Sequence, residues 1–133
     1  MQGLHLTADL SQCQCDSHWL TDSDRLLKRC LQAVSSAALQ PVNQLAHTFV
    51  NADQTPGGVT AAVLLAESHL CVHTWPELAA VTLDVYVCNF GGDHSDKAQH
   101  LLNELVALFA PKKMDQQILR RGRVNQGQDL LAR

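Results

Sequence analysis

The sequence predicts an α+β fold in which one antiparallel β-sheet carries two helices on a single face. Segments with strict alternation of apolar and polar residues occur near both ends of the chain, and two long segments have helical spacing. Their order, βαββ…βαβ, is typical of such a sheet. The 133 residues, 46% of them hydrophobic, suffice for one core, so residues 1–133 are expected to form a single domain.

The first half of the chain is expected to supply three strands and the first helix. Residues 4–10 alternate between apolar and polar side chains, as in a strand with one buried face. Residues 21–39 change to helical spacing, with Thr21 or Ser23 available as the N-cap. An extended segment over 41–50, a loop over 51–58 and a central strand over 59–66, apolar on both faces, complete this half.

The second half is expected to supply a strand over 81–88, a helix and a last short strand over about 114–119. Ser95 is the predicted N-cap of the helix, and Pro111 is expected to end it. One sheet face is too polar for a dry core and too regular for ordinary surface, so we expect a second copy of the sheet to cover it. It carries His5, Thr7, Asp9, Thr82, Asp84, Tyr86 and Cys88.

Net charge and cysteine content restrict the kinds of partner and the cellular compartment that we expect for this protein. A net charge of −3 argues against nucleic acid, whose phosphates require a basic surface. The chain has neither a signal peptide at its start nor an apolar run near the ~18 residues of a membrane span. We therefore expect a cytoplasmic protein with no membrane partner, whose five cysteines are reduced thiols.

The most specific chemical signal is the segment from Glu67 to Glu77, with the sequence ESHLCVHTWPE. An acid–serine bond followed five residues later by His73 suits a peptide that cuts itself. The Ser68 hydroxyl attacks the Glu67 carbonyl, a base removes the serine Cα proton from the resulting ester, and elimination leaves a dehydroalanine. Its hydrolysis produces a pyruvoyl group at the start of a new chain.

This segment resembles the processing site of bacterial and archaeal S-adenosylmethionine decarboxylase proenzymes, which read E-S-H-x-x-x-H-T-W-P-E. The resemblance covers about residues 3–122 and is strongest over 57–93. It implies cleavage into a β-subunit, residues 1–67, and an α-subunit, residues 68–133, which remain together. It also implies a homodimer stacked sheet to sheet as a four-layer αββα sandwich, with active sites at the interface.

The same resemblance implies a cofactor and roles for three side chains. A pyruvoyl group derived from Ser68 would hold the small-molecule substrate as a Schiff base, so neither pyridoxal phosphate nor a metal ion is required. His73 matches the histidine that promotes elimination during processing. Cys88 matches the proton donor to the substrate Cα. Thr60 replaces a family serine whose hydroxyl assists processing.

Three acidic residues are weaker candidates. Asp9 and Asp84 are candidate contacts for the substrate, because a carboxylate can bind an amine or another cationic group. Glu77 closes the processing motif and is a candidate supporting residue. In an ideal strand Ser68 and His73 lie on opposite faces, so we expect a bend or bulge at the cleavage bond.

Cys13-x-Cys15 together with two histidines does not predict a metal site. The cysteine spacing is not that of a zinc knuckle. Two strand histidines four residues apart, such as His69 and His73, are about 13 Å apart. His69 and the thiols other than Cys88 are therefore interpreted as structural. The arginines at 120, 121 and 123 are interpreted as a solvated strand end, with contact to a substrate carboxylate or a partner subunit as the alternative.

The positions at which the sequence departs from the family pattern bear on the choice of substrate rather than on the mechanism. Six residues separate Phe49 from Pro56 where the family has one, and Asn89 and Phe90 follow the cysteine where the family has glycine. Three readings remain open. The first is an S-adenosylmethionine decarboxylase serving spermidine biosynthesis; the second is a pyruvoyl-dependent arginine or ornithine decarboxylase of the same fold; the third is a non-catalytic relative.

Overall fold

The computed structural model describes residues 2–123 of the chain, and the last ten residues of the expected α-subunit lie outside them. In chain order its elements follow the predicted order, with two additions that the sequence analysis missed, a short helix over 18–21 and a strand over 68–75. The bounds are β1 Gly3–Cys13, α1 His18–Thr21, α2 Ser23–Ser36, β2 Pro41–Val50, β3 Pro56–Leu65, β4 Ser68–Trp75, β5 Ala80–Cys88, α3 Ser95–Phe109 and β6 Pro111–Arg121, with a 3-10 turn at Pro76–Leu78 between β4 and β5.

All six strands form one sheet in the order β2-β3-β4-β5-β1-β6, and every neighbouring pair is antiparallel. The predicted α+β architecture is therefore confirmed. In the four inner strands β1, β3, β4 and β5 alternate residues are buried against the apolar faces of α2 and α3, and together they form one core, whereas the edge strands β2 and β6 contribute no buried residue. Within residues 2–123 no helix is both long enough and apolar enough to cross a membrane.

Several predicted boundaries were wrong. Asp22, rather than Thr21 or Ser23, caps α2, because its carboxylate accepts a hydrogen bond from the Arg25 amide. Ser95 is the first helical residue of α3 rather than its cap, and its amide is satisfied by the Asp93 carboxylate. Strands β3 and β6 are longer than predicted, since pairing with a neighbour extends them beyond the alternating core residues.

The sheet face opposite the helices is open in the single chain. It carries the polar residues expected from the sequence, and it also exposes apolar side chains at both ends of the sheet. Leu45 is 75% exposed and Leu64 is 51% exposed. Apolar side chains grouped on one face of a sheet are typical of a surface that another protein layer covers. The outer-face members of this group are Leu45, Phe49, Leu64, Trp75 and Leu119.

Candidate active site

The predicted cleavage bond lies in the tight turn of the β3–β4 hairpin. Leu65 pairs with Ser68, so Ala66 and Glu67 alone form the turn. Glu67 has a φ of 55°, in the left-handed region. For a residue with a Cβ this conformation costs about 1 kcal/mol. The bend expected from the sequence is therefore present, and it places strain on the residue that contributes the carbonyl of the Glu67–Ser68 bond.

Ser68 and Cys88 are in direct contact. The Cys88 amide donates a hydrogen bond to Ser68 Oγ across 3.0 Å, and the Cys88 thiol donates to Glu67 Oε2 across 3.6 Å. The antiparallel pairing of β4 with β5 produces this contact, because it sets His69 opposite Tyr86 and so brings the start of β4 beside the end of β5. Cys88 is 6% exposed, and its thiol is therefore largely shielded from bulk water.

A cavity of about 390 Å³ opens beside this pair. Its lining includes Glu67, Ser68 and Cys88 together with Phe90 and Lys97. Phe90 is 73% exposed and lies in the segment by which this chain departs from the family pattern. The two residues predicted to carry the cofactor and the proton thus share one solvent-accessible cavity.

Thr60 and His73 form a second pair. They are opposite each other in the β3–β4 ladder, and Thr60 Oγ1 lies 3.0 Å from His73 Nδ1, which is a hydrogen-bond distance. A separate cavity of about 740 Å³ is lined by this pair and by Phe49, Trp75 and Glu77 among others. The loop that separates Phe49 from Pro56 therefore leaves the aromatic ring close to the processing motif.

These two pairs do not meet within one chain. Alternation along β4 directs Ser68 towards the helix side of the sheet and His73 towards the open side. Five residues of strand separate them by roughly 16 Å, from a rise of about 3.3 Å per residue. The bend at the hairpin turn does not remove this separation, so the single chain does not bring His73 next to Ser68.

The weaker acidic candidates also lie away from Ser68. Asp84 accepts hydrogen bonds from two histidines on the open sheet face. Asp9 pairs with Thr82 and Asp115 near the other end of β5, beside a different cavity. Six residues of β5 separate Thr82 from Cys88, a span of about 20 Å.

Sequence reasoning missed one polar cluster. His5 Nε2 lies 2.6 Å and His69 Nε2 lies 3.2 Å from the same oxygen, Asp84 Oδ1. Arg121 Nη1 donates to His5 Nδ1 at 2.8 Å, and its guanidinium carbon stands 5.6 Å from the centre of the Tyr86 ring. Arg121 is exposed as expected of a strand end, but it also belongs to this cluster. The alternation in β1 and β5 indicates that His5 and Asp84 share one face of the sheet. Only the pairing register of the strands shows that their side-chain atoms are in contact.

Burial keeps three of the other thiols protonated. It raises the pKa of Cys13 to about 11 and that of Cys30 to about 12, and together with the nearby Asp84 it raises the pKa of Cys71. A protonated thiol is a poor nucleophile and a poor metal ligand. These values agree with a structural role for all three residues.

Comparison with known proteins identifies a single family. The sequence profile described as S-adenosylmethionine decarboxylase matches residues 4–122. The chain is 37% identical over 125 residues to the S-adenosylmethionine decarboxylase proenzyme of Aquifex aeolicus, covering 93% of this chain and 84% of that protein. It is 40% identical over 107 residues to the proenzyme of the same name from Prochlorococcus marinus, covering 78% and 79% respectively.

A solved structure agrees with the sequence comparisons. The crystal structure of the adenosylmethionine decarboxylase from Aquifex aeolicus superposes with a TM-score of 0.76, covering 93% of each chain at 34% identity in the structural alignment. The likeness therefore extends over nearly the whole chain.

Proposed function

The chain belongs to the S-adenosylmethionine decarboxylase family, and we propose that it cuts itself at Glu67–Ser68 and decarboxylates S-adenosylmethionine through the resulting pyruvoyl group. The observation that carries this proposal is the contact between Ser68 and Cys88 directly after a strained hairpin residue. The nucleophile, the bond to be cut and the predicted proton donor lie together, as both stages of the reaction require.

Processing begins with the Ser68 hydroxyl. Its oxygen adds to the Glu67 carbonyl carbon, the peptide C–N bond breaks, and the serine nitrogen takes up the proton lost by the hydroxyl. The left-handed conformation of Glu67 favours this step, because the strain of the turn is released when the amide becomes an ester. The Cys88 amide fixes Ser68 Oγ in position for the attack.

The second half of processing needs a base. Removal of the Ser68 Cα proton expels the Glu67 carboxylate as the leaving group, and hydrolysis of the dehydroalanine then yields the pyruvoyl group and ammonia. His73 is the proposed base, since imidazole accepts protons near neutral pH. The Thr60 hydroxyl, 3.0 Å from its Nδ1, holds the ring in one orientation.

We further propose that the base is supplied by a second copy of the chain. The roughly 16 Å between Ser68 and His73 in one chain supports this assignment. The open sheet face, with its exposed Leu45 and Leu64, supports a homodimer stacked sheet to sheet. In such a dimer the Thr60–His73 pair of one copy completes the hairpin site of the other.

Turnover uses the cavity beside Ser68 and Cys88. The pyruvoyl group would supply an electron sink for the bonding pair that stays on the substrate Cα when the carboxyl group leaves as carbon dioxide. The Cys88 thiol, shielded from bulk water, holds a proton for delivery to the substrate Cα. Phe90, which also lines this cavity and is largely exposed, provides an aromatic surface for the substrate.

S-adenosylmethionine is the proposed substrate rather than arginine or ornithine, because the relatives above bear that name. We assign the product, decarboxylated S-adenosylmethionine, to spermidine biosynthesis. A panel of these three substrates, labelled at the carboxyl carbon, separates the alternatives by the release of carbon dioxide. Release from arginine or ornithine and none from S-adenosylmethionine would overturn the assignment.

Intact-mass analysis tests the processing directly. Purified protein should separate into residues 1–67 and residues 68–133, with a blocked amino terminus on the second fragment. Ser68→Ala should remain one inactive chain. A wild-type protein that stays intact with an unmodified Ser68 under all conditions excludes the pyruvoyl mechanism. Light scattering then checks the dimer, and an active monomer contradicts the shared site.

A further inference from the structure

The cluster of His5, His69 and Asp84 has no part in the reaction proposed above, although it lies on the same sheet. The residues belong to three adjacent strands, β1, β4 and β5, which hold them through the backbone ladders. One ligand atom from each lies within 4.8 Å of the other two. From this geometry we propose that the three side chains form a binding site for a divalent transition-metal ion, with Zn²⁺ as the best match.

The distances suit such an ion. Tetrahedral zinc with bonds of about 2.0–2.1 Å places neighbouring ligand atoms about 3.3 Å apart. His69 Nε2 already lies 3.2 Å from Asp84 Oδ1. His5 Nε2, at 2.6 Å from the same oxygen, must withdraw by about 0.7 Å, a movement that a side-chain rotation provides.

The donor set selects the class of ion. Two imidazole nitrogens with one carboxylate oxygen suit Zn²⁺ and its transition-metal neighbours, whereas Mg²⁺ and Ca²⁺ prefer oxygen ligands throughout. In the single chain the side chains of His5, His69 and Asp84 are 12%, 35% and 40% exposed, so the three ligands leave a fourth coordination position directed out of the open sheet face. A three-ligand site with an open position is an ordinary zinc geometry.

Arg121 is expected to weaken metal binding, so a variant that lacks it can distinguish a metal site from a cluster held by hydrogen bonds alone. A guanidinium only donates, and its contact with His5 Nδ1 therefore leaves the His5 proton on Nε2, where it points at Asp84. Metal binding at Nε2 moves that proton to Nδ1 and breaks the arginine contact. The guanidinium charge also repels a cation. Removing Arg121 should therefore tighten metal binding, which a purely hydrogen-bonded cluster does not predict.

Zinc titration of the chelator-treated, processed and assembled protein tests the site. We expect one Zn²⁺ per chain by calorimetry and a tetrahedral ligand-field spectrum with Co²⁺. His69→Gln and Asp84→Asn should each weaken binding by more than the 10–100-fold typical of an outer-shell change. Arg121→Gln should strengthen it about tenfold. His18→Gln, which removes a histidine beside Asp16 elsewhere on the surface, should leave it unchanged.

The five free thiols are present in all four variants, so the differences between variants report the cluster alone. Circular dichroism confirms that each variant is folded. Absence of Zn²⁺ and Co²⁺ binding in wild type and Arg121→Gln overturns the proposal. Equal binding in wild type, His69→Gln and Asp84→Asn overturns it as well, since the ion is then held by other groups.

Discussion

The backbone amide of Cys88 donates a hydrogen bond to the side-chain oxygen of Ser68, across 3.0 Å between neighbouring strands. This contact connects the residue at the proposed cleavage bond to the residue proposed to deliver a proton, although twenty positions separate them in the chain. It means that one backbone arrangement serves both processing and turnover. A substitution can therefore affect processing without turnover, or turnover without processing, only if the side chain that it removes acts in one of the two stages.

Relief of strain at Glu67 should stabilise the precursor and slow its cleavage. In a Ser68→Ala background, where the chain stays intact, Glu67→Gly should raise the free energy of unfolding by about 0.5–1 kcal/mol, since glycine adopts a positive φ without the Cβ clash. With Ser68 present, the same change should slow cleavage about two- to fivefold, because less strain is released. Chemical denaturation and a time course of intact mass measure the two effects.

Ala66→Gly is the matched control, because Ala66 occupies the same turn without a positive φ. It should destabilise the precursor, since glycine adds conformational freedom to the unfolded chain. Equal effects of the two glycine substitutions would show that the Glu67 conformation is not a source of strain.

Mixed dimers should reveal whether His73 acts across the interface. Ser68→Ala chains cannot be cut, and His73→Gln chains lack the base. When the two are co-expressed, the His73→Gln chains should be cleaved, because each meets an intact His73 in its partner. The Ser68→Ala chains should stay whole. Intact-mass analysis distinguishes the two chains by their different masses.

If His73 instead acts within its own chain, the co-expression experiment should give the opposite result. In that case co-expression leaves both variants as intact as each is alone. Thr60→Val, which removes the hydroxyl 3.0 Å from His73 Nδ1, should slow cleavage about tenfold or more. Thr60→Ser keeps the hydroxyl and should process at close to the wild-type rate.

Much of the fold follows from local pattern, whereas the site depends on register. The alternation at residues 4–10 and 81–88 predicts two neighbouring inner strands, β1 and β5, and their polar face, and the structure confirms both. The contact of Arg121 with His5 joins positions 116 apart, so no local pattern indicates it. Helix α1 was missed because four residues are too few for a periodic signal.

Alkaline pH should weaken the fold through Cys30. Its pKa is raised to about 12 by burial, whereas an unfolded cysteine titrates near 8.5. Above pH 8.5 the unfolded chain loses this proton and the folded chain keeps it, so stability is full below about pH 8.5 and falls as the pH rises towards 12. Between pH 7.5 and 9.5 the loss should be on the order of 1 kcal/mol.

Urea denaturation of the Ser68→Ala precursor at the two pH values measures that loss. Cys30→Ala should be less stable at both pH values because of the cavity it leaves, but it should lose less stability between them. A pH dependence that is identical with and without Cys30 would assign the effect to other thiols.

Removal of the Cys88 thiol should separate turnover from processing. Cys88→Ala keeps the backbone amide that contacts Ser68 Oγ, so the chain should still cleave and acquire its pyruvoyl group. Turnover should fall about 10²–10⁴-fold, as for loss of a general acid. When the substrate Cα is not protonated promptly, the proton would reach the cofactor carbon instead, and hydrolysis by water would then release the substrate as an aldehyde and leave alanine in place of the pyruvoyl group. Inactivation per turnover should therefore rise.

Both effects are measured on one sample, by release of labelled carbon dioxide and by the mass of residues 68–133 during turnover. Cys88→Ser supplies a matched control, because a hydroxyl fits the same space but holds its proton more tightly than a thiol. It should fall between wild type and Cys88→Ala in turnover. If Cys88→Ala matches wild type in rate and in lifetime, the thiol is not the proton donor, and Tyr86 or a bound water molecule takes that role.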